Sequence, residues 1–310
     1  MSGMHALSPQ ETAALTRRVT ALSVATAAVL VTIKAIAWAA SGSTALLASM
    51  ADSGLDLVAS LVTFFAVRYA ATPPDAEHRF GHGKAEAFAS LMQAGLVFAS
   101  AALIAREAIG DLLDPHPLQR EGWAVAVMVV SIALTLALVT AQTRVLRRTS
   151  SVAVSGDRAH YFSDLASNLI VLVGIAGAAL MGVNGLDAIA AIAVAALLLW
   201  GAVGVFREAS AQLMDRELPD ETRAEIVRLI TADPRLTGVH QLRTRTSGPF
   251  VHIQMHVDLD PDLSLEAAHG VIVAAEKRLL ERFPSADILI HADPRGRAEP
   301  HGGAFAEAKT

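Results

Sequence analysis

Hydrophobic and polar positions divide the chain into two unlike parts. Up to Val205 the apolar residues fall into six long runs, each near the about 20 residues a helix needs to cross a bilayer. They are Val19–Ala40, Thr44–Tyr69, Ala85–Ile104, Trp123–Ala141, His160–Met181 and Leu186–Val205. The pattern predicts a bundle of six transmembrane helices. Past Arg207 charges become frequent and the apolar runs shorten, so a domain boundary is expected within Phe206–Asp215. Asp220, Glu221 and Thr222 open a helix to about Ala232, with acids in the first turn as the helix dipole favours. Val239–Thr246 and Phe250–Leu259 read as paired strands joined at Ser247, Gly248 and Pro249. In the second strand Val251, Ile253, Met255, Val257 and Leu259 alternate with His252, Gln254, His256 and Asp258, giving one buried and one polar face. A helix from Ser264 to about Phe283 and a short strand Asp287–His291 complete an α-β-β-α-β order. Helices on one face of a three-stranded sheet are expected. The resulting plan is an N-terminal tail (1–16), a transmembrane domain (17–208), a C-terminal domain (209–294) and a disordered tail (295–310).

Composition supports a membrane protein: 53% of the 310 residues are hydrophobic, 18% are charged and the mean hydropathy is +0.44. Cysteine is absent, which excludes disulfides, thiolate metal sites and cysteine nucleophiles. The net charge of -5 gives no sign of nucleic-acid binding. The first sixteen residues lack the basic segment, short apolar core and cleavage site of a signal peptide. Basic residues set the expected orientation. Arg17 and Arg18 precede the first run; Arg68, Arg79 and Lys84 flank the second loop; Arg144, Arg147, Arg148 and Arg158 lie between runs four and five. The alternate loops are poorer in basic residues, so both termini are expected in the cytoplasm.

The second run carries Asp52 and Asp56, four residues apart and therefore on one helical face. Each charge at the centre of a membrane helix costs about 2.5–3.5 kcal/mol on insertion scales. A bound cation is the economical reason for two of them. His160 and Asp164, at the start of the fifth run, repeat the spacing. Two helices that each project two donors can build a four-coordinate site. Three carboxylates and one imidazole suit Zn²⁺, with Fe²⁺, Cd²⁺, Co²⁺ and Mn²⁺ as further candidates, and the imidazole argues against Mg²⁺ and Ca²⁺. The competing reading puts His160 and Asp164 at a helix entrance facing water. Asp75, His78 and His82 follow the second run at a spacing that a helical turn or a compact loop could converge on one metal, or that solvent could simply surround. The C-terminal region adds His240, His252, His256, His269, His291 and Asp293 from different predicted elements, whose convergence depends on the fold. Lys34 is a further charge in the first run, placed to neutralise a carboxylate or to snorkel. Ser49, Ser53, Ser163 and Asn168 lie beside the ligand turns.

The segments Ala48–Asp56, His78–Glu86, His160–Asp164 and His291–Pro294 resemble the cation diffusion facilitator family, in its bacterial zinc/iron-efflux branch, and the resemblance runs from about Thr16 to Pro294. It implies a homodimer in the bacterial inner membrane, with six transmembrane helices per protomer and a cytoplasmic metallochaperone-like domain. It implies a transport site of Asp52, Asp56, His160 and Asp164, and a cytoplasmic-loop site of Asp75, His78 and His82. It also implies a binuclear C-terminal site of His240, His256, His269, His291 and Asp293; His252 falls outside that pattern. Ala292 stands where close relatives often carry Gln. Lys84 and Asp215 match positions that pair between protomers.

These readings converge on a secondary transporter rather than an enzyme: a Zn²⁺/H⁺ antiporter that exports zinc, with Cd²⁺ and Fe²⁺ as further cargo. Metal ligands must lose protons to bind, so metal and protons compete for one site. His160 is the natural proton carrier, since imidazole titrates near neutrality. Zinc is expected in both transported and regulatory roles, with no organic cofactor, and with protons, the bilayer and a second copy of the chain as partners. Two other classes fit the sequence less well. An intramembrane metalloprotease would need a His-Glu-x-x-His helix, which the sequence lacks. A membrane-bound metal sensor would leave the intramembrane ligand pairs unexplained.

Overall fold

The computed structural model describes residues 8–42, 44–113, 122–181 and 186–297. The expected tail beyond Arg297 lies outside the described residues. The described residues divide into two compact units, one of residues 12–210 and a second of residues 211–297 together with residues 8–11.

The first unit is helical: α1 (Pro9–Ser41), α2 (Thr44–Ala70), α3 (Ala85–Leu113), α4 (Gly122–Leu146), α5 (Val152–Met181) and α6 (Leu186–Leu213, which runs into the second unit). Each extends beyond the apolar run that predicted it or matches it closely, because backbone hydrogen bonding continues where hydrophobicity stops. The start of α1 shows why. The Ser8 Oγ accepts from the Glu11 N–H at 3.3 Å while the Ser8 N–H donates to Glu11 Oε2 at 2.9 Å, a reciprocal cap just ahead of a proline at the first helical position. Residues 9–16, read from the sequence as tail, are therefore helix.

Among the described residues, five helices (α1, α2, α3, α4 and α6) are long and apolar enough to cross a membrane. The side chains of residues 171–180 in α5 lie outside the described set. Large apolar side chains on these helices face outward, among them Ile36, Leu55, Phe65, Leu103 and Trp200, as hydrocarbon surroundings require. Helix α5 packs against α3 and α4. A side chain at Gly156 would meet the Ser90 backbone at 3.0 Å, so glycine is what lets α5 approach α3 this closely.

Polar groups fill much of the interior between these helices. Asp157 is fully buried and accepts from Ser23 Oγ at 2.6 Å, Gln142 Nε2 at 2.8 Å and Gln93 Nε2 at 3.3 Å, tying α1, α4 and α3 to α5. The Tyr161 hydroxyl is 2.7 Å from Ser60 Oγ on α2. Helices in lipid gain little from hydrophobic contact with each other, so such bonds and close approaches must hold them together.

The second unit contains α7 (Asp220–Ile230), β1 (Gly238–Ser247), β2 (Phe250–Leu259), α8 (Leu265–Arg282) and β3 (Ala286–Pro294). The sheet order is β1-β2-β3, with β1 and β2 antiparallel and β2 and β3 parallel. Ser264 caps α8, its Oγ accepting from the Ala267 N–H at 3.2 Å. The core joins Ile226 and Ile230 of α7, Ile253, Met255, Val257 and Leu259 of β2, and Val271, Ala275 and Leu279 of α8. The opposite face of β2, carrying His252, Gln254, His256 and Asp258, is left for chemistry.

Candidate metal centres

Among the described residues, three groups of His and Asp donors converge closely enough to hold a metal ion. The first lies between α2 and α5. His160 Nε2 is 3.0 Å from Asp56 Oδ1 and 3.8 Å from Asp164 Oδ2. Zinc bonds of about 2.0–2.2 Å place tetrahedral donors roughly 3.3 Å apart, so these spacings suit one ion. Asp56 and His160 are buried, and neither Asp164 Oδ2 nor His160 Nδ1 has a hydrogen-bond partner. A buried carboxylate oxygen without a donor is costly, and a cation would relieve it. Because α5 starts at Val152, His160 stands two turns inside the helix and not at a water-facing entrance. Asp52 sits one turn from Asp56 on α2 and is exposed, outside the converged group. Lys34 is buried nearby, donating to Ser53 Oγ at 2.6 Å and to the Ser49 carbonyl at 3.2 Å. Its ammonium is thus held inside and does not snorkel.

The second group is the loop after α2. Asp75 Oδ1 accepts from the backbone N–H groups of Glu77 and His78 at 2.9 and 2.7 Å, closing a compact turn and not a helix. That turn brings His82 Nε2 within 3.2 Å of Asp75 Oδ2 and His78 Nδ1 within 3.4 Å of Asp75 Oδ1. His82 is buried, with Nδ1 2.9 Å from Thr72 Oγ1, which orients the ring. The His78 backbone N–H holds the Asp75 carboxyl below the usual carboxylate range, aided by the Glu77 N–H and both imidazoles.

The third group lies on the polar face of the sheet. His256 Nδ1 is 2.9 Å and His240 Nε2 3.3 Å from Asp293 Oδ2. His291 Nε2 is 3.3 Å from Asp293 Oδ1. Burial works upward on the Asp293 carboxyl, but the His256 hydrogen bond and the three imidazoles outweigh it, and the net direction is downward. An acid ionised at neutral pH beside two or three imidazoles is a donor set that fits Zn²⁺.

Known proteins resemble the chain over most of its length. The cation efflux transmembrane domain matches residues 20–214, and the cation efflux protein cytoplasmic domain matches residues 218–295. The cation-efflux pump FieF of Klebsiella pneumoniae is 41% identical over 280 residues, covering 90% of this chain and 93% of the relative. The chain belongs to the cation diffusion facilitator family. FieF of Yersinia enterocolitica is 42% identical over 268 residues, with 86% and 89% covered. A metal-bound C-terminal domain of the CzcD transporter from Thermotoga maritima is 28% identical, with 26% of this chain and all of that chain covered, at a TM-score of 0.24. As a member of this family the chain is a divalent-metal cation efflux transporter, a multi-pass protein of the bacterial inner membrane and not an enzyme.

Within this family member not every residue singled out by sequence falls into a cluster. His269 is exposed on α8 and outside the converged group, as is Asp52 in the membrane unit. Asp215 pairs with Arg245 of its own unit at 3.2 Å. Lys84 is half-buried just ahead of α3. His252 Nδ1 is 3.1 Å from Asp287 Oδ2, away from the metal donors. Three acids that the sequence does not single out stand near the clusters. Asp157 was visible as an acid in an apolar helix three residues before His160. Glu86, fully buried and 2.5 Å from Ser151 Oγ, opens α3 beside the loop histidines. Asp258, on the same strand face as His256, is 3.6 Å from His240 Nε2.

Proposed function

We propose that the chain is a Zn²⁺/H⁺ antiporter that exports zinc from the cytoplasm, taking Cd²⁺ and Fe²⁺ as well. The observation that carries this is the convergence of Asp56, His160 and Asp164 between α2 and α5. In this reading Asp52 joins them as the fourth ligand when the helices shift, and α5 is the sixth membrane span. Inward-facing, the deprotonated donors take zinc and release protons to the cytoplasm. Outward-facing, protons return to His160 and the carboxylates and expel the ion. His160 would carry one of the exchanged protons, since its imidazole must be unprotonated at the nitrogen that binds metal. The inward proton gradient then drives export.

Asp75, His78 and His82 would gather metal at the cytoplasmic face. His240, His256, His291 and Asp293, with His269, would form the C-terminal site that ties two copies into a homodimer, and Lys84 and Asp215 would pair between protomers. Both termini would be cytoplasmic. The C-terminal cluster is the one place where a resident zinc would act structurally: bound there, it would cross-link strands and neutralise the carboxylate.

Metal-competition transport in proteoliposomes tests the reading. Wild-type protein should move zinc in preference to Mn²⁺, while His160→Asp, an all-carboxylate set, should shift preference toward Mn²⁺ by about tenfold or more, since carboxylate sites suit Mn²⁺. No change in preference would remove His160 from the site.

A further inference from the structure

We propose that Asp258 is a further ligand of the C-terminal metal site, and that Gly238 is the cradle that holds its carboxylate there. The proposal rests on the metal reading of that cluster.

Strand register supplies the first argument. His240 on β1 lies across from His256 on β2, which lies beside His291 on β3, forming one row of imidazoles. Two residues along each strand, on the same face, the next row is Gly238, Asp258 and Asp293. Asp258 thus stands in the same row as Asp293, whose carboxylate already meets His240 and His256. The register breaks between His240 and Arg243, where Gln241 adopts a left-handed φ of 49°. Such a bulge is how a strand re-aims one side chain without losing its neighbours, and the side chain at its edge is His240.

The second argument is the glycine. A β-carbon at position 238 would overlap Asp258 Oδ2 and come within 3.2 Å of its Cγ. The carboxylate therefore occupies the space that any other residue at 238 would fill. Its other oxygen, Oδ1, is directed to His240 Nε2 at 3.6 Å.

The third argument is chemical. His240 Nε2 faces two carboxylates, Asp258 and Asp293, and hydrogen-bonds to neither. One imidazole nitrogen has a single proton or a single lone pair, so it cannot satisfy both. A divalent cation among them satisfies all. With Asp293 alone the set would leave Zn²⁺ a net positive charge, which the Asp258 carboxylate would neutralise.

Zinc binding to the full-length protein in detergent tests this, by competition with a chromophoric chelator in an Asp56→Ala, His78→Ala background that silences the other clusters. Asp258→Asn and Gly238→Ala should each weaken zinc binding by about tenfold or more. Gly238→Ala displaces only the far end of the Asp258 side chain, so it removes the ligand without unfolding the sheet. Asp287→Asn, on the same strand face but paired with His252, should bind like its parent. The zinc absorption edge should show the imidazole count unchanged in Asp258→Asn and one oxygen lost. Parental affinity in both Asp258→Asn and Gly238→Ala overturns the proposal while leaving the metal reading intact. A parent that binds no zinc overturns the metal reading and this proposal with it.

Discussion

The membrane cluster and the sheet cluster use the same residue types in opposite proportions on opposite kinds of scaffold. Between α2 and α5, two carboxylates and one imidazole converge, Asp56 and His160 buried and Asp164 half-buried, and each helix carries its own donors. On the sheet, two imidazoles and one carboxylate, with His291 beside them, sit half-buried on three hydrogen-bonded strands. A β-ladder fixes its donors relative to one another, so a site built there holds its ion. Two helices joined by side-chain bonds can slide or tilt, so a site split between them can be opened to either side. The difference teaches which cluster is suited to exchange and which to retention.

The sharpest way to break that contrast is by substitution in each cluster. Asp56→Ala or Asp164→Ala should cut zinc flux in proteoliposomes by about 100-fold or more, since each removes a charge that would meet the ion in the proposed site, and zinc binding at the sheet should persist. His240→Ala with His256→Ala should abolish sheet binding yet leave flux within about tenfold of wild type. Equal losses of flux from the two sets would erase the distinction.

Stability should divide in the same way. Met255 is buried in the core of the second unit, so Met255→Ala should destabilise that unit by about 2–5 kcal/mol. Thermal unfolding followed by near-ultraviolet signals and proteolysis should show the C-terminal unit melting earlier, with the membrane helices unchanged.

A smaller effect separates the kinds of proton that compete with metal at the sheet. The Asp293 carboxyl is held below its ordinary value, so its ionised form is present above about pH 4 and is lost only as pH falls through the lower folded value. Between pH 7 and 5 protonation of Asp293 should therefore not compete with zinc. Chelator competition over that range should show the same pH dependence of zinc affinity in the wild type and in Asp293→Asn. A loss of affinity centred near pH 4 would assign the competition to carboxylates.

Much of this arrangement was legible in the residues. The i, i+4 pairs exposed the membrane donors, because a carboxylate in an apolar run has few reasons to exist. The alternation of β2 exposed the face that carries His256. What escaped notice depends on distance across the chain. Asp157 gains meaning only when Ser23, Gln93 and Gln142 arrive from other helices. Asp258 gains it only when the register places it beside Gly238 and Asp293. Helix ends were read short because hydrophobicity marks the span, whereas caps such as Ser8 with Glu11 mark the helix. Asp52, expected from its spacing to converge with the other three donors, stands exposed a turn away, because equal spacing on one helix does not guarantee an equal approach to the next.

The central claim is that the cluster between α2 and α5 exchanges metal for protons. Proteoliposomes loaded with a fluorescent pH indicator, given external zinc and no imposed gradient, test it most directly. Zinc entry should be accompanied by proton exit in wild-type protein, and both signals should vanish together in Asp56→Ala. Zinc entry with no change in internal pH, or undiminished zinc entry in Asp56→Ala, would contradict the claim.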